Sequence, residues 1–179
     1  MNTKVLLPFF IIISLFIHGN IDAKDLTLNN APTQVYFSPN GGATSAIVHE
    51  LWKAKSEVFV QAYSFTSKEI AQAIVDAHKR GVQTEIILDK SNRSKKYTAG
   101  DFTAHMGIPT YIDTAHAIAH NKIIIIDREI LITGSFNFTK AAEKNNAENL
   151  IIFRSKELAE IYRDNWELHK RHSIAYTGT

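Results

Sequence analysis

Residues 57–88 read EVFVQAYSFTSKEIAQAIVDAHKRGVQTEIIL, and this stretch determines the predicted fold. Glu57–Phe65 is rich in β-branched and aromatic residues, which favours a strand. Thr66-x-x-Glu69 then has the form of a capping box, and apolar residues recur at helical spacing until Gly81. Val82–Leu88 is a second apolar run. The pattern predicts a strand–helix–strand unit whose two strands are parallel neighbours in one sheet.

The remaining sequence continues this alternation. Further strands are expected at residues 34–37, 108–112, 120–126, 129–133 and 150–153, and further helices at residues 43–55 and from Ser155 to His169. Residues 89–105 are polar and basic, which indicates a loop with some helix. Asp127-Arg128 separates two apolar runs and predicts a tight hairpin. We therefore expect an α/β fold, with a mixed, largely parallel sheet of about seven strands between helices on both faces.

The N-terminus has the layout of a secretory signal peptide. Lys4 precedes the apolar run Val5–Ile17, and Ala23 offers a small residue at a cleavage point. We predict that residues 1–23 are removed and that residues 24–179 form one domain in the periplasm or outside the cell. The apolar run is shorter than the roughly 20 residues of a spanning helix. An uncleaved N-terminal anchor is the alternative.

Composition limits the chemistry and gives only a weak indication of partners. The chain has no cysteine, which excludes disulfides, thiolate metal sites and a cysteine nucleophile. The formal net charge is only +2. Basic residues cluster locally, at Lys90, Arg93, Lys95, Lys96 and Lys170-Arg171. Because such clusters are commonly solvated surface, they favour nucleic acid as a partner only modestly.

Four polar side chains stand in two segments that are otherwise apolar. His120 and Lys122 precede a run of isoleucines, and Ser135 and Asn137 follow the second strand of the hairpin. Residues two apart on a strand share a face, so each pair points to one side. If Asp127-Arg128 is a two-residue turn, His120 lies opposite Ser135 and the four groups converge on one patch.

This set of residue types suits phosphate chemistry. An imidazole can act as nucleophile or proton donor near neutral pH. The ammonium of Lys122 supplies fixed positive charge for phosphoryl oxygens, and serine and asparagine add uncharged donors. Because the positive charge is covalently present, we expect a mechanism without a divalent cation, and no metal or other cofactor.

The pattern His120-x-Lys122-x4-Asp127, followed by Gly134-Ser135-x-Asn137, resembles the signature of the phospholipase D superfamily. The short chain with one motif resembles the bacterial Nuc-type endonuclease branch of that superfamily. The resemblance extends over essentially all of residues 24–179, including the turn at residues 38–42. It implies a hydrolase that cleaves phosphodiester bonds of nucleic acid through a phosphohistidine intermediate, with DNA as the first expected substrate and RNA left open.

The resemblance also implies roles for the four polar residues. His120 would attack phosphorus, and a second histidine would protonate the leaving oxygen and later activate water. Lys122 and Asn137 would bind the non-bridging oxygens, and Ser135 would support the site. The ordinary alternative for Ser135 and Asn137 is a role as turn formers.

Two carboxylates complete the set implied by the resemblance. Glu148 resembles the family carboxylate that orients the nucleophilic histidine, with a plain surface acid as the alternative. Asp127 belongs to the motif and is counted with the catalytic residues. Asp127 nevertheless lies an odd number of residues after Lys122, so its side chain is expected on the other face of the strand, at the turn. This position indicates a structural role.

The sequence contains one H-x-K motif, so the second histidine must come from elsewhere. We therefore predict a homodimer in which a two-fold axis brings two His120 side chains to one site. A zinc site is not predicted. His49-Glu50 lacks the second histidine of a zincin, and His169-x-x-His172 has unsuitable spacing and no evident carboxylate partner.

Two other functions remain open at this point. One is a lipid phosphodiesterase, although the sequence shows no long apolar insertion and no stable membrane association is expected after signal removal. The other is a non-catalytic nucleic-acid-binding module that uses the basic residues at 90–96. In that case binding would survive the loss of His120, and turnover would never appear.

Overall fold

The computed structural model describes residues 23–93 and 98–178. The predicted signal peptide lies outside these residues except for Ala23, and so do Lys95 and Lys96 of the basic cluster. The described strands are β1 (Thr33–Ser38), β2 (Glu57–Ala62), β3 (Gln83–Asp89), β4 (Thr110–Asp113), β5 (Lys122–Ile126), β6 (Ile130–Gly134), β7 (Glu148–Arg154) and β8 (Ser173–Tyr176). The helices are α1 (Ala43–Lys53), α2 (Lys68–Lys79), α3 (Ala99–His105), α4 (Lys140–Lys144) and α5 (Lys156–Arg171), with a 3-10 turn at Lys90–Asn92.

All eight described strands lie in one sheet, in the order β1-β7-β6-β5-β2-β3-β4-β8. The strand–helix–strand unit at 57–88 is confirmed, because β2 and β3 are parallel neighbours. The pair β3–β4 is also parallel, and the other five pairs between described strands are antiparallel. The α/β class is therefore confirmed, but the sheet is mixed rather than largely parallel. The chain reverses direction after β5 and again after β6, and both edge strands run antiparallel to their neighbours.

Helices cover both faces of the sheet, as predicted. The larger core lies under α1 and α2, where Ile47 and Ile74 pack with strand residues such as Ile124. The opposite face is covered by α5, and its core includes Phe59 and Trp166. The Trp166 indole N–H donates to the Val60 carbonyl at 2.9 Å, which fixes α5 on the centre of the sheet. Because apolar side chains on both sides bury the central strands, the isoleucine run needs no polar alternation.

The turn between β5 and β6 contains three residues rather than two, so the predicted alignment of His120 with Ser135 is wrong. Ile126 pairs with Ile130, and Asp127 and Arg128 both have left-handed backbone, with φ of 54° and 55°. Glu129 N donates to Ile126 O at 3.0 Å and lies outside the paired residues. This extra residue shifts the register by one position.

Three local features also differ from the prediction. Helix α2 is capped by Ser67 rather than Thr66, since the Ser67 hydroxyl accepts from Ile70 N at 3.3 Å. Helix α4 and strand β8 were not predicted, because five and four residues are too few to show a period. Helix α4 has a clear structural role. Its Glu143 carboxylate accepts from Gly42 N at 3.0 Å and Thr44 N at 2.8 Å, at the start of α1.

One end of the sheet collects the polar residues of interest, and we call it the site edge. Strand β2 ends there with Ala62, which is paired with Lys122 at the start of β5. Ser38 at the end of β1 is paired with Glu148 at the start of β7. Strands β3 and β4 run parallel to β2, so Asp113 at the end of β4 lies at the same edge. The topology thus brings together groups that are far apart in sequence.

Candidate active site

His120 and Lys122 contact each other at the site edge. Lys122 begins β5 with its side chain turned inward and only 6% of the residue exposed, whereas His120 is exposed. Lys122 Nζ lies 3.0 Å from His120 Nδ1 and donates to the His120 carbonyl at 2.7 Å. An ammonium has donors only, so Nδ1 accepts at this contact and a neutral ring carries its proton on Nε2. The predicted convergence of these two side chains is therefore observed.

Burial lowers the pKa of Lys122, and the negative charge of Glu148 partly offsets this by raising it. The net direction is below the ordinary value of 10.5. A desolvated cation interacts more strongly with an incoming anion than a solvated one does. Lys122 is accordingly a fixed positive group at the edge of the sheet, suited to bind a phosphoryl oxygen.

Tyr63 forms a wall beside this pair and was not predicted. Its ring centroid lies 4.6 Å from that of His120, and Lys122 Nζ lies 5.3 Å from the same ring. Tyr63 N donates to the Asn121 carbonyl at 2.9 Å, so the residue after β2 is fixed against the segment before β5. The sequence signal was available, since Tyr63 directly follows the buried strand that pairs with β5. The ring limits how far the His120 imidazole can tilt.

Ser135 and Asn149 bind each other across the ends of β6 and β7. Ser135 N donates to Asn149 Oδ1 at 2.8 Å, and Asn149 N donates to Ser135 Oγ at 3.0 Å. A side chain at Gly134 would bring a Cβ within 2.3 Å of the Asn149 carbonyl oxygen, so this close approach requires glycine. Ser135 is exposed, so its hydroxyl can donate to a ligand. The Gly-Ser segment is therefore held next to Glu148.

Asn137 has a buried polar atom without a partner in residues 23–93 and 98–178. Its side-chain Oδ1 accepts no hydrogen bond there, although its carbonyl accepts from Thr139 N at 2.7 Å. The next residue, Phe138, accepts through its carbonyl from Thr66 N and Ser67 N at 3.0 and 2.9 Å. These two hydrogen bonds hold the segment that contains Asn137 against the chain that follows β2. A buried amide oxygen left unpaired is costly, and as an acceptor it can take a hydrogen bond only from a donor.

Glu148 lies near Lys122 but does not contact His120 in this structure. Its carboxylate accepts from Asn146 Nδ2 at 3.2 Å, and its charge acts on Lys122. Within the described residues, no hydrogen bond joins Glu148 to His120, whose Nδ1 faces Lys122 instead. The role of Glu148 in orienting the imidazole stays a prediction.

Asp127 lies at the opposite end of β5 from Lys122, so the geometry corrects its place among the catalytic residues. Strand β5 is five residues long, so Asp127 and Lys122 are separated by about 15 Å along it. Its carboxylate accepts from Lys55 N at 3.0 Å, Ser56 N at 2.7 Å and Glu57 N at 3.1 Å. Burial raises its pKa, but these hydrogen bonds outweigh burial and hold the pKa below 3.8. Asp127 therefore fixes the hairpin turn to the start of β2.

Asp89 is a positioning residue that the sequence did not reveal. It ends β3 and accepts from Ala119 N at 2.8 Å and from Ser91 N at 2.8 Å. Burial raises the pKa of Asp89, but hydrogen bonds from Ser91 and Ala119 lower it below the ordinary value. Asn92 Nδ2 donates to the Tyr63 carbonyl at 2.8 Å. These contacts fix the residues that lead into His120 and into Tyr63.

The described basic residues of the predicted cluster have different surroundings. Lys90 Nζ donates to the His116 carbonyl at 3.0 Å, and Arg93 is exposed. Lys170 forms an ion pair with Glu85. The prediction that Lys95 and Lys96 contact nucleic acid falls outside the described residues.

A second group of histidines surrounds Asp113 at the same edge. Asp113 Oδ2 lies 2.8 Å from His116 Nδ1, 3.2 Å from His169 Nδ1 and 3.5 Å from His172 Nε2. The expectation that His169 and His172 lack a carboxylate partner is therefore wrong. Asp113 is 56 residues away from His169 in sequence, so no local spacing could show it. Burial raises the pKa of Asp113, but the hydrogen bonds from His116 and His169 hold it well below its usual range.

The fold and the His–Lys pair define a phosphodiesterase class, and comparisons with known proteins agree. Residues 47–169 match the family described as "Cardiolipin synthase, PLD-like domain". Phospholipase D of Rickettsia prowazekii (strain Madrid E) is 39% identical over 168 residues, which cover 87% of this chain and 82% of that protein. The chain therefore belongs to the phospholipase D superfamily and is a hydrolase of phosphodiester bonds.

Solved structures support the same assignment. The crystal structure of Nuc from Salmonella typhimurium, a phospholipase D family member, superposes with a TM-score of 0.78 and 36% identity. The match covers 82% of this chain and 98% of that one. NucT from Helicobacter pylori has a TM-score of 0.73, 22% identity and coverage of 82% and 99%, which supports the fold alone. Among the described residues, no helix combines the length and apolar character needed to cross a membrane.

Proposed function

We propose that this hydrolase is an exported endonuclease that cleaves nucleic acid, DNA in the first place, with His120 as nucleophile. The observation that carries the proposal is the contact between a buried ammonium and an exposed imidazole, Lys122 Nζ and His120 Nδ1, at 3.0 Å. The likeness to Nuc, over 98% of the length of that chain, supports this branch of the superfamily. Export to the periplasm or beyond the cell rests on the signal-peptide pattern of residues 1–23.

The reaction proceeds in two displacements at phosphorus. A ring nitrogen of His120 attacks, a P–N bond forms, and the bond to the leaving ester oxygen breaks. A second imidazole gives that oxygen its proton. It then takes a proton from water, which attacks phosphorus and breaks the P–N bond, so that both imidazoles return to their starting states. Lys122 and the amide nitrogen of Asn137 bind the non-bridging oxygens, where charge increases in the transition state.

The contact between His120 and Lys122 belongs to the protein without substrate. With Nδ1 accepting from Lys122, the proton of the neutral ring is on Nε2. Attack through Nε2 requires Lys122 to turn to the phosphate and the proton to move to Nδ1. Glu148 acts on Lys122 electrostatically, and we propose that it accepts from Nδ1 once the ammonium has turned to the phosphate. Glu148 is thus proposed to position the imidazole.

The second imidazole is proposed to be His120 of another copy of the chain. His116, His169 and His172 are engaged around Asp113. Large apolar side chains flank the open site, with Phe37 68% exposed and Ile118 60% exposed. Phe37 is paired with Asn149, next to Glu148, and Ile118 is two residues before His120. A second copy seated on the site edge would cover these side chains and bring its His120 to the same phosphate.

A phospholipid-cleaving activity is the second candidate. The relative from Rickettsia prowazekii, at 39% identity, bears the name phospholipase D. The same phosphate chemistry would serve a lipid headgroup, so the substrate must be identified by assay.

The test is hydrolysis by the purified protein of plasmid DNA, RNA and phosphatidylcholine vesicles, each in excess EDTA. We expect cleavage of nucleic acid, none of the vesicles, and none of any substrate by His120→Ala. Lys122 supplies the positive charge that Mg²⁺ provides elsewhere, so chelation should not stop turnover. Lipid cleavage alone would favour the second candidate. Nucleic-acid binding without any cleavage would indicate a binding module, and activity restored only by Mg²⁺ would contradict the metal-free mechanism.

A further inference from the structure

Three imidazoles and one carboxylate meet where β4 and α5 end. Asp113 is the last residue of β4, His116 lies in the loop towards β5, and His169 and His172 lie in and just after the last turn of α5. The three ring centroids are 4.9, 5.0 and 5.3 Å apart, which makes a nearly regular triangle. One ligand atom from each of the four residues lies within 4.8 Å of all the others. Two stretches of backbone, residues 113–116 and 169–172, therefore converge on one point.

The carboxylate is fixed in an orientation that suits a ligand. The Asp113 side chain is fully buried, and its Oδ1 accepts from Ala115 N at 3.0 Å and His116 N at 3.3 Å. Oδ2 is thereby turned to the three imidazoles. A carboxylate oxygen has two lone pairs, so three converging ring nitrogens exceed what it can bind through hydrogen bonds.

The distances from Asp113 Oδ2 agree with tetrahedral coordination. Bonds of about 2.0–2.1 Å to a zinc ion separate neighbouring ligand atoms by roughly 3.3 Å. Asp113 Oδ2 lies 2.8, 3.2 and 3.5 Å from the three histidine nitrogens, values that bracket this separation. All four ligand atoms lie within 4.8 Å of one another, and the side chains of His116 and His172 are 47% and 36% exposed, so their rings have room to move towards one ion.

We propose that Asp113, His116, His169 and His172 bind one Zn²⁺ ion per chain. Imidazole nitrogens with a carboxylate oxygen form an established zinc ligand set, and four protein ligands close the coordination sphere. Such a closed site is structural rather than catalytic. The ion would join the loop that leads from β4 to His120 with the end of α5 and the start of β8. It takes no part in phosphoryl transfer and does not depend on the proposed substrate.

The experiment titrates Zn²⁺ into the full mature chain after chelator treatment and dialysis, with a chromophoric chelator as competitor. The wild-type protein should bind one Zn²⁺ per chain, and saturating ion should raise the unfolding temperature. Co²⁺ in place of Zn²⁺ should give the visible absorption of a tetrahedral site. His49→Gln is the matched control, because His49 is an exposed histidine outside the cluster that stacks on Trp52.

Two substitutions test the ligands themselves. Asp113→Asn retains an Oδ1 acceptor for Ala115 N and His116 N but replaces the ligating oxygen by an amide nitrogen. His172→Gln removes a partly exposed ligand and should fold even if Asp113→Asn does not, as circular dichroism would show. Each should weaken binding more than the roughly 10–100-fold that follows loss of an indirect partner. The His49→Gln control should bind as the wild type does.

Two results would overturn the proposal. The first is a wild-type protein that binds no stoichiometric Zn²⁺, or gains no thermal stability from it. The second is an affinity in His172→Gln equal to that of His49→Gln, which would place any bound ion elsewhere on the chain.

Discussion

Two groups of histidine side chains lie at the same edge of the sheet and have opposite surroundings. His120 is exposed and its nearest charged partner is an ammonium, Lys122 Nζ, at 3.0 Å. The imidazoles of His116, His169 and His172 face a buried carboxylate, Asp113. The neighbouring charge decides what an imidazole can do. An imidazole beside an ammonium is suited to an anionic substrate, whereas rings around a carboxylate are suited to hold a cation.

The two groups are also anchored differently. Asp89 fixes the chain just before His120 through Ala119 N at 2.8 Å, so the reactive residue is positioned through its backbone while its side chain stays open. In the Asp113 group the side chains themselves hold two stretches of the chain together, residues 113–116 and 169–172. The first arrangement serves turnover and the second serves stability, which leads to separable predictions.

Removing the reactive imidazole should have the largest effect. His120→Ala is expected to lower kcat by about 10³-fold or more, as loss of a nucleophile does in other hydrolases. Because the ring is exposed, the unfolding temperature and the Zn²⁺ stoichiometry should stay unchanged. His172→Gln should give the reverse result, with weakened Zn²⁺ binding and retained cleavage. Steady-state kinetics and thermal unfolding of both variants check this. A parallel loss of activity and metal binding in either variant would show that the two groups act as one site.

The next effect concerns the carboxylate near Lys122. Glu148→Gln is expected to lower kcat by roughly 10–100-fold, because the imidazole loses the group that positions it. A positioning role should also change the shape of the pH–rate profile, whereas a purely structural role would not. Glu148→Asp should restore part of the rate. Wild-type kinetics and an unchanged profile in Glu148→Gln would remove this residue from the site.

The smallest effect is expected at the far end of β5. Asp127→Asn should leave the chemical step unchanged and lower the free energy of unfolding by about 1–2 kcal/mol at neutral pH, through weaker hydrogen bonds to Ser56 and Glu57. The exposed Glu129→Gln, in the same turn, is the control and should have no comparable effect.

This loss should depend on pH in a defined direction. Because folding depresses the pKa of Asp127 below 3.8, its stabilising contribution is complete above that value and disappears as the pH falls through the folded-state pKa. The stability gap between wild type and Asp127→Asn should therefore narrow below about pH 4. Denaturant unfolding of both proteins at pH 7 and at pH 3 measures this difference in unfolding free energy. A gap that widens in acid would contradict the assigned hydrogen bonds.

The sequence predicted what depends on local patterns. The alternation at residues 57–88 predicted β2, α2 and β3. The spacing of His120 and Lys122 predicted that their side chains meet. Both predictions depend only on residues that are close in sequence. The alignment of His120 with Ser135 failed because register depends on whether Glu129 joins the turn or the strand. Left-handed backbone at two consecutive residues, Asp127 and Arg128, is itself compatible with a two-residue turn, so neither the turn conformation nor the residue spacing reveals that Glu129 is left out of the pairing.

The sequence did not predict the contacts that form only through the strand order of the sheet. Asp113 meets His169 only because β4 runs parallel to β3 and α5 ends at the same edge of the sheet. Tyr63 reaches His120 because the end of β2 lies beside the start of β5. Each depends on which strands become neighbours, which is a property of the whole fold.

The central claim is that two copies of His120 act on one phosphate, one neutral to attack and one protonated to donate. Mixing wild-type chains with His120→Ala chains, allowing subunits to exchange, and measuring cleavage tests it directly. If both imidazoles are needed, mixed dimers are inactive and activity follows the square of the wild-type fraction. A linear decline with the mutant fraction, or a fully active monomer in solution, would contradict the shared site.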